Sequence, residues 1–152
     1  MTDPTRLFIE AGRLNDRLAQ ASDALVSDLG LTSARWQVLG VVIQAATPAT
    51  VSHLARIMGL ARQSVQRVVN DLFRDGLCRT AENPRHARSP LIVVTKKGEG
   101  AYEAASARRE PWARALAADL AEDEVRTALK VIKALNRALI NSASEGSQAK
   151  SD

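Results

Sequence analysis

Between Val51 and Lys97 the apolar residues change period once, from helical to strand-like, and few folds accommodate that order. Val51, Leu54, Ala55 and Met58 recur at helical spacing and are followed by Gly59, a residue at which a helix can end. A second amphipathic segment runs from about Ala61 to Arg74, with Val65, Val68, Val69 and Leu72 on one stripe and Arg62, Gln63, Ser64, Gln66, Arg67 and Asn70 off it. Asp75-Gly76 then supplies a turn, and two β-branched runs follow, Leu77 to Ala81 and Pro90 to Thr95. The residues between them, Glu82 to Ser89, are too basic and proline-rich to continue a sheet, so they make a hairpin tip. Two short helices around a glycine turn, followed by a two-stranded hairpin, predict a winged helix-turn-helix in a chain that is mainly α with a small β-wing.

The polar face of the second segment says what such a unit can hold. Arg62, Gln63, Ser64, Gln66 and Arg67 offer the donors and acceptors that base edges in a DNA major groove can pair with. Arg85, His86 and Arg88 sit on the hairpin tip, from which an arginine can reach a neighbouring minor groove and its concentrated negative potential. Val51 to Lys97 carries nine basic and three acidic residues, +6, whereas the whole chain is only +4. The positive charge is therefore local, as a phosphate-binding face requires.

The flanking segments exceed what a small reading unit needs. From about Pro4 to Leu29, Leu7, Leu14, Leu18, Ala21 and Leu25 form one stripe, with Pro4 in the first turn and Gly30 at the end. Thr32 or Ser33 can cap a helix bearing Trp36, Leu39, Val42, Ile43 and Ala46, and Thr50 can cap the next one. Past Gly98, Tyr102, Ala105, Trp112, Leu116 and Leu120 pattern a helix to about Ala121, which Pro111 should kink or restart. Glu122 or Asp123 opens a last helix with Val125, Leu129, Ile132, Leu135 and Leu139 on one face. These stripes predict dimerisation. The domain plan is an N-terminal dimerisation helix over 1–30, a winged helix-turn-helix over 31–98, C-terminal dimerisation helices over 99–142 and a disordered tail over 143–152.

The same residues carry a family resemblance. Leu31-Thr32-Ser33-Ala34-Arg35-Trp36-Gln37-Val38-Leu39, Ser64-Val65-Gln66-Arg67, Arg74-Asp75-Gly76-Leu77, and Asn83-Pro84-Arg85-His86-Ala87-Arg88 leading to Val94-Thr95-Lys96-Lys97-Gly98 resemble, in order and spacing, the MarR (multiple antibiotic resistance regulator) family. The resemblance implies a homodimeric transcription regulator, usually a repressor, often released from its operator by a small molecule. Arg67 and Arg88 match DNA-contacting positions of that family. The wing departs from the family pattern, in which Asp often stands at the places of Asn83 and His86 and Arg at that of Ala87. With two-fold symmetry the operator should be pseudo-palindromic double-stranded DNA. Arg13, Asn15, Trp36, Tyr102 and Trp112 are the positions where polar or aromatic groups could meet a small-molecule effector.

Other functions find little support. His53 and His86 lie on different elements with no acid or cysteine cluster beside them, and there is no metal-ligand spacing and no Gly-rich phosphate loop, so no enzyme, metal or cofactor is expected. Few aromatics interleave the basic residues, which disfavours RNA. A winged-helix protein-interaction module, or a redox-sensing regulator acting through the single cysteine, Cys78, are the alternatives. No apolar run is long enough to span a bilayer, and the expected location is the cytoplasm.

Overall fold

The computed structural model describes residues 2–148. Six helices and two strands follow one another: α1 (Asp3–Val26), α2 (Ser33–Gln44), α3 (Val51–Met58), α4 (Arg62–Arg74), β1 (Cys78–Ala81), β2 (Leu91–Val94), α5 (Lys96–Leu116) and α6 (Glu122–Gln148). The chain divides into two compact units, residues 1–110 and 111–152.

Within the first unit each helix boundary has a local cause. The α-helical ladder of α1 stops at Val26, and Ser27–Leu29 tighten into a 3-10 turn closed by Gly30 at φ 69°. The single helix expected to run to Leu29 is thus shortened by one turn. Thr32 rather than Ser33 caps α2, its side chain accepting from Arg35 N–H, and Thr50 caps α3 by accepting from His53 N–H. Gly59 ends α3 at φ 65°, the left-handed conformation that costs glycine nothing.

The core is the apolar inner face of these short helices. Leu39, Leu54, Val65, Val69, Leu72 and Ile92 are fully buried, with Val26, Leu31, Trp36, Val38 and Leu77 around them. Ala46, counted with the α2 stripe in the sequence, lies beyond the helix and is exposed. β1 and β2 pair antiparallel, Cys78 opposite Val94 and Ala81 opposite Leu91. The segment before α3 adds a bridge to this hairpin, Ile92 N–H donating to Ala49 C=O at 2.9 Å. The wing is therefore hydrogen-bonded to the chain leading into the helix-turn-helix, which no local sequence signal indicates.

Of the stripe expected on α1, Leu7, Leu14 and Leu18 are exposed, as are Phe8 and Ile9 beside them, whereas Ala21 and Leu25 are half-buried. In the second unit Leu116, Leu120, Leu129, Ile132, Leu139 and Ile140 are exposed as well. An open groove of about 460 Å³ there is lined by Arg114, Ala117, Leu120, Val125 and Leu129 among others. Pro111 stands inside α5, so the helix includes it instead of restarting, although a helical proline removes one ladder donor. α5 stops at Leu116, earlier than the Ala121 expected. α6 reaches Gln148, past the boundary expected at Ser142; extending a formed helix adds a hydrogen bond per residue without a new nucleation cost. The rest of the expected tail, 149–152, lies outside the described residues.

Candidate nucleic-acid interface

The outward face of α4 follows from helix geometry. At about 100° per residue, Arg62, Gln66, Asn70, Gln63 and Arg67 fall within an arc of roughly 140° that turns away from the buried stripe of Val65, Val69 and Leu72, with Arg62 at the edge nearest Val69. Those five line a surface groove of about 380 Å³. Ser64 lies roughly 60° beyond Arg67. It is exposed, but it lines a small apolar cavity with Ala34, Val38, Met58 and Leu60, so the structure separates it from the other candidates. Asn70, in the middle of the arc, is the residue missing from the sequence-based set; its side-chain oxygen accepts from Gln66 Nε2 at 2.9 Å. The same angular arithmetic would have found it.

A second cleft joins helix and wing. Arg62 and Gln66 of α4, Arg88, Ser89 and Pro90 of the wing, and Thr50 and Ser52 at the start of α3 share its walls. Arg85 and His86 stand exposed on the wing tip outside it. Among the described residues Arg62, Arg67, Arg85 and Arg88 make no side-chain ion pair or hydrogen bond, whereas Arg35, Arg74 and Arg108 are each paired with an aspartate. Arg62, Arg67, Arg85 and Arg88 are thus uncompensated, whereas Arg35 and Arg108 bridge to aspartates on other segments.

The wing tip is shaped by Asn83. Its Oδ1 accepts from Arg85 N–H at 3.1 Å and its Nδ2 donates to Ser89 C=O at 2.7 Å, closing the loop that carries Arg85, His86 and Arg88. A carboxylate could make the first bond and not the second. Asn83→Asp is therefore expected to loosen the tip and place a negative charge beside its arginines, weakening DNA binding about five- to ten-fold at low salt, the equivalent of roughly 1 kcal/mol; fluorescence anisotropy would measure this.

The effector candidates divide. Trp36 and Tyr102 line one cavity of about 380 Å³ together with Gly40, Gln44, Met58 and Arg109 among others. Gln44 Nε2 donates to the Tyr102 hydroxyl at 3.1 Å, and the Arg109 guanidinium lies 4.1 Å from the Trp36 ring centroid. Gly40 permits this approach, since a Cβ there would stand 3.1 Å from the Tyr102 ring. Trp36 Nε1 is buried with no hydrogen-bond partner among the described residues. Arg13 and Asn15 are elsewhere, on the exposed face of α1, where Arg13 pairs with Glu10. Trp112 belongs to the second unit.

Cys78 is buried, and desolvation pushes its thiol up to about 11 from the ordinary 9.0. Oxidation needs an accessible thiolate, so this site is poorly suited to redox sensing. The raised value contributes to stability with a definite sign. It is fully present below the unfolded thiol's value and lost as pH rises from about 9 to about 11, because the unfolded chain releases the proton first. Urea unfolding is expected to show a loss of about 2 to 3 kcal/mol over that window that Cys78→Ala removes.

Comparison with known proteins places this architecture. The MarR family model matches residues 29–89, and that span contains α2, α3, α4 and β1. The crystal structure of the MarR family transcription regulator SP03579 superposes with a TM-score of 0.79 at 25% identity, covering 94% of this chain and 95% of that one. The chain belongs to the MarR family. Members are DNA-binding transcription regulators without enzymatic activity. This MarR protein is 40% identical to the uncharacterized protein Rv2011c of Mycobacterium tuberculosis over 68% of its own length and 71% of the relative's. It is 30% identical to the transcriptional activatory protein BadR of Rhodopseudomonas palustris, over 64% of this chain and 57% of that one. Among the described residues no helix is long and apolar enough to cross a membrane.

Proposed function

We propose that the protein is a cytoplasmic homodimer that represses an adjacent gene by setting two α4 helices into a pseudo-palindromic operator and its wings into the flanking minor grooves. The observation that carries this reading is the cleft shared by Arg62, Gln66 and Arg88, in which uncompensated charge from helix and wing converges. Arg67, Gln63 and Asn70 extend the same surface along α4. One such surface holds DNA modestly; joining two makes the second engagement intramolecular. The exposed leucines and isoleucines of α1 and α6 supply the joining surface, each worth about 1.5 to 3 kcal/mol when fully buried.

Family members are often ligand-responsive, and the Trp36–Tyr102 cavity is our site for the effector. A ligand acceptor reaching Trp36 Nε1 would recover part of the roughly 1 to 3 kcal/mol that an unpaired buried donor costs. A ligand that binds more tightly to an arrangement in which the readers no longer match the operator would shift the population away from DNA.

Anisotropy titration with the protein's own upstream intergenic DNA, at several salt concentrations, tests the central claim. Saturable binding that weakens steeply with salt is expected; salt-insensitive binding, or sedimentation as a monomer at micromolar concentration, would sink it. Because BadR is an activatory protein, the sign of control needs its own measurement. Deleting the gene should raise transcription of the neighbouring unit, and a fall would make this protein an activator.

A further inference from the structure

We propose that Arg35, which lies far from the DNA-reading surface in sequence, is a positioning residue for α4. This inference rests on α4 being the reading helix. Arg35 Nη1 lies 2.7 Å from Asp75 Oδ2 and donates to Gly30 C=O at 2.9 Å. It therefore ties the α1–α2 junction to the residue that caps the C-terminal end of α4. Only 17% of the Arg35 side chain is exposed. The Arg13–Glu10 and Arg74–Asp71 pairs, by contrast, join neighbours within one helix.

Asp75 is also held through its backbone. Its N–H closes on Asp71 C=O, and its C=O accepts from Lys97 Nζ at 2.8 Å. The next carbonyls, of Gly76 and Leu77, both accept from Thr95 Oγ1. The far end of α4 is thus a fixed point gripped by α2 and by the start of α5. The grip on the Gly30 side is itself braced, since Arg108 of α5 bonds Asp28 and Leu25 C=O.

The physical need for such a point is leverage. α4 has 13 residues and is about 20 Å long. Its buried stripe of Val65, Val69 and Leu72 holds it on the core through apolar packing, a non-directional attraction. Swinging the helix by about 10° around Asp75 would carry Arg62 roughly 3 Å, well beyond the ~0.5 Å tolerance of a working contact geometry. A charge-assisted hydrogen bond is directional and supplies the missing constraint.

The test is a double-mutant cycle of Arg35→Met and Asp75→Asn, read by anisotropy on upstream DNA at several salt concentrations, with folded fraction followed by circular dichroism. Each single variant should bind about five- to twenty-fold more weakly, and the double variant no worse than the weaker single. The slope of affinity against salt should stay at the wild-type value, because every phosphate-binding side chain is still in place. Arg35→Lys, which keeps a cation for Asp75, should recover part of the loss. Unchanged affinity of folded Arg35→Met or Asp75→Asn overturns the proposal and leaves Arg35 a stability residue. A slope reduced by about 0.9 for each phosphate no longer neutralised, counted over both heads, means that Arg35 touches phosphate, and also overturns it. Should Arg35→Met not fold, Asp75→Asn and Arg35→Lys carry the decision. Failure of the wild-type protein to bind any upstream DNA would instead remove the reading on which the inference stands.

Discussion

Replacing Gly98 with alanine is expected to cost about 3 kcal/mol of folding stability, although alanine is the better helix former by about 1 kcal/mol. A Cβ at this position would stand 2.8 Å from Val94 Cγ2 and closer still to Leu77 O, which is backbone and cannot rotate aside. That carbonyl is also pinned, accepting from Thr95 N–H at 3.0 Å and from Thr95 Oγ1 at 3.1 Å. Relief would require α5 to retreat from the start of β1 and break those bonds. Gly100, two residues along the same helix, has nothing within 4 Å of its added Cβ. There alanine should be neutral or should stabilise by up to about 1 kcal/mol. The urea midpoint should therefore fall for Gly98→Ala and hold or rise for Gly100→Ala, and a Gly98→Ala protein as stable as wild type would show that α5 can retreat from Leu77 at little cost.

Removing the charges of α4 and the wing should produce the largest loss of DNA binding. In a dimer each substitution is present on both heads, so an interaction worth about 1 kcal/mol per head costs about 2, roughly thirty-fold in affinity. Arg67→Ala and Arg88→Ala should each show at least that, and together they should approach a thousand-fold if independent. The two should differ in kind. Arg67 lies on the arc of α4 that we propose enters a major groove, and its loss should relax sequence preference. Arg88, in the cleft beside Arg62, should weaken all sequences alike and reduce the salt slope by about 0.9 for each phosphate that is no longer neutralised. Lys150→Ala is the control, and a loss equal to that of the arginines would mean general charge attraction without a defined surface.

How much of this was legible varies by element. The helix-turn-helix was readable because a repeat of about 3.6 in apolar residues, interrupted by Gly59, has one physical outcome when one face must be buried; the same holds for the Thr32 and Thr50 caps. The exposed face of α4 was readable for the same reason, apart from Ser64, grouped with the readers although its angle puts it beside Val68. The effector positions were the least legible. Trp36 and Tyr102 are 66 positions apart and meet through the packing of α5 on α2, while Arg13 and Asn15, equally polar and closer in sequence to Trp36, do not reach that cavity.

From the sequence one could read which residues of α3 and α4 face inward, that Gly59 ends α3, and that positive charge gathers in one stretch, because periodicity, capping and charge density are properties of neighbours along the chain. It took the folded chain to show that Arg88 shares a cleft with Arg62 and Gln66, that Ala49 bridges to Ile92, that Arg35 reaches Asp75, and that Gly98 has no room while Gly100 has plenty. Each of these depends on two segments meeting at a particular angle. Such an angle is set by the summed packing of the whole core, to which no single stretch of residues holds the key.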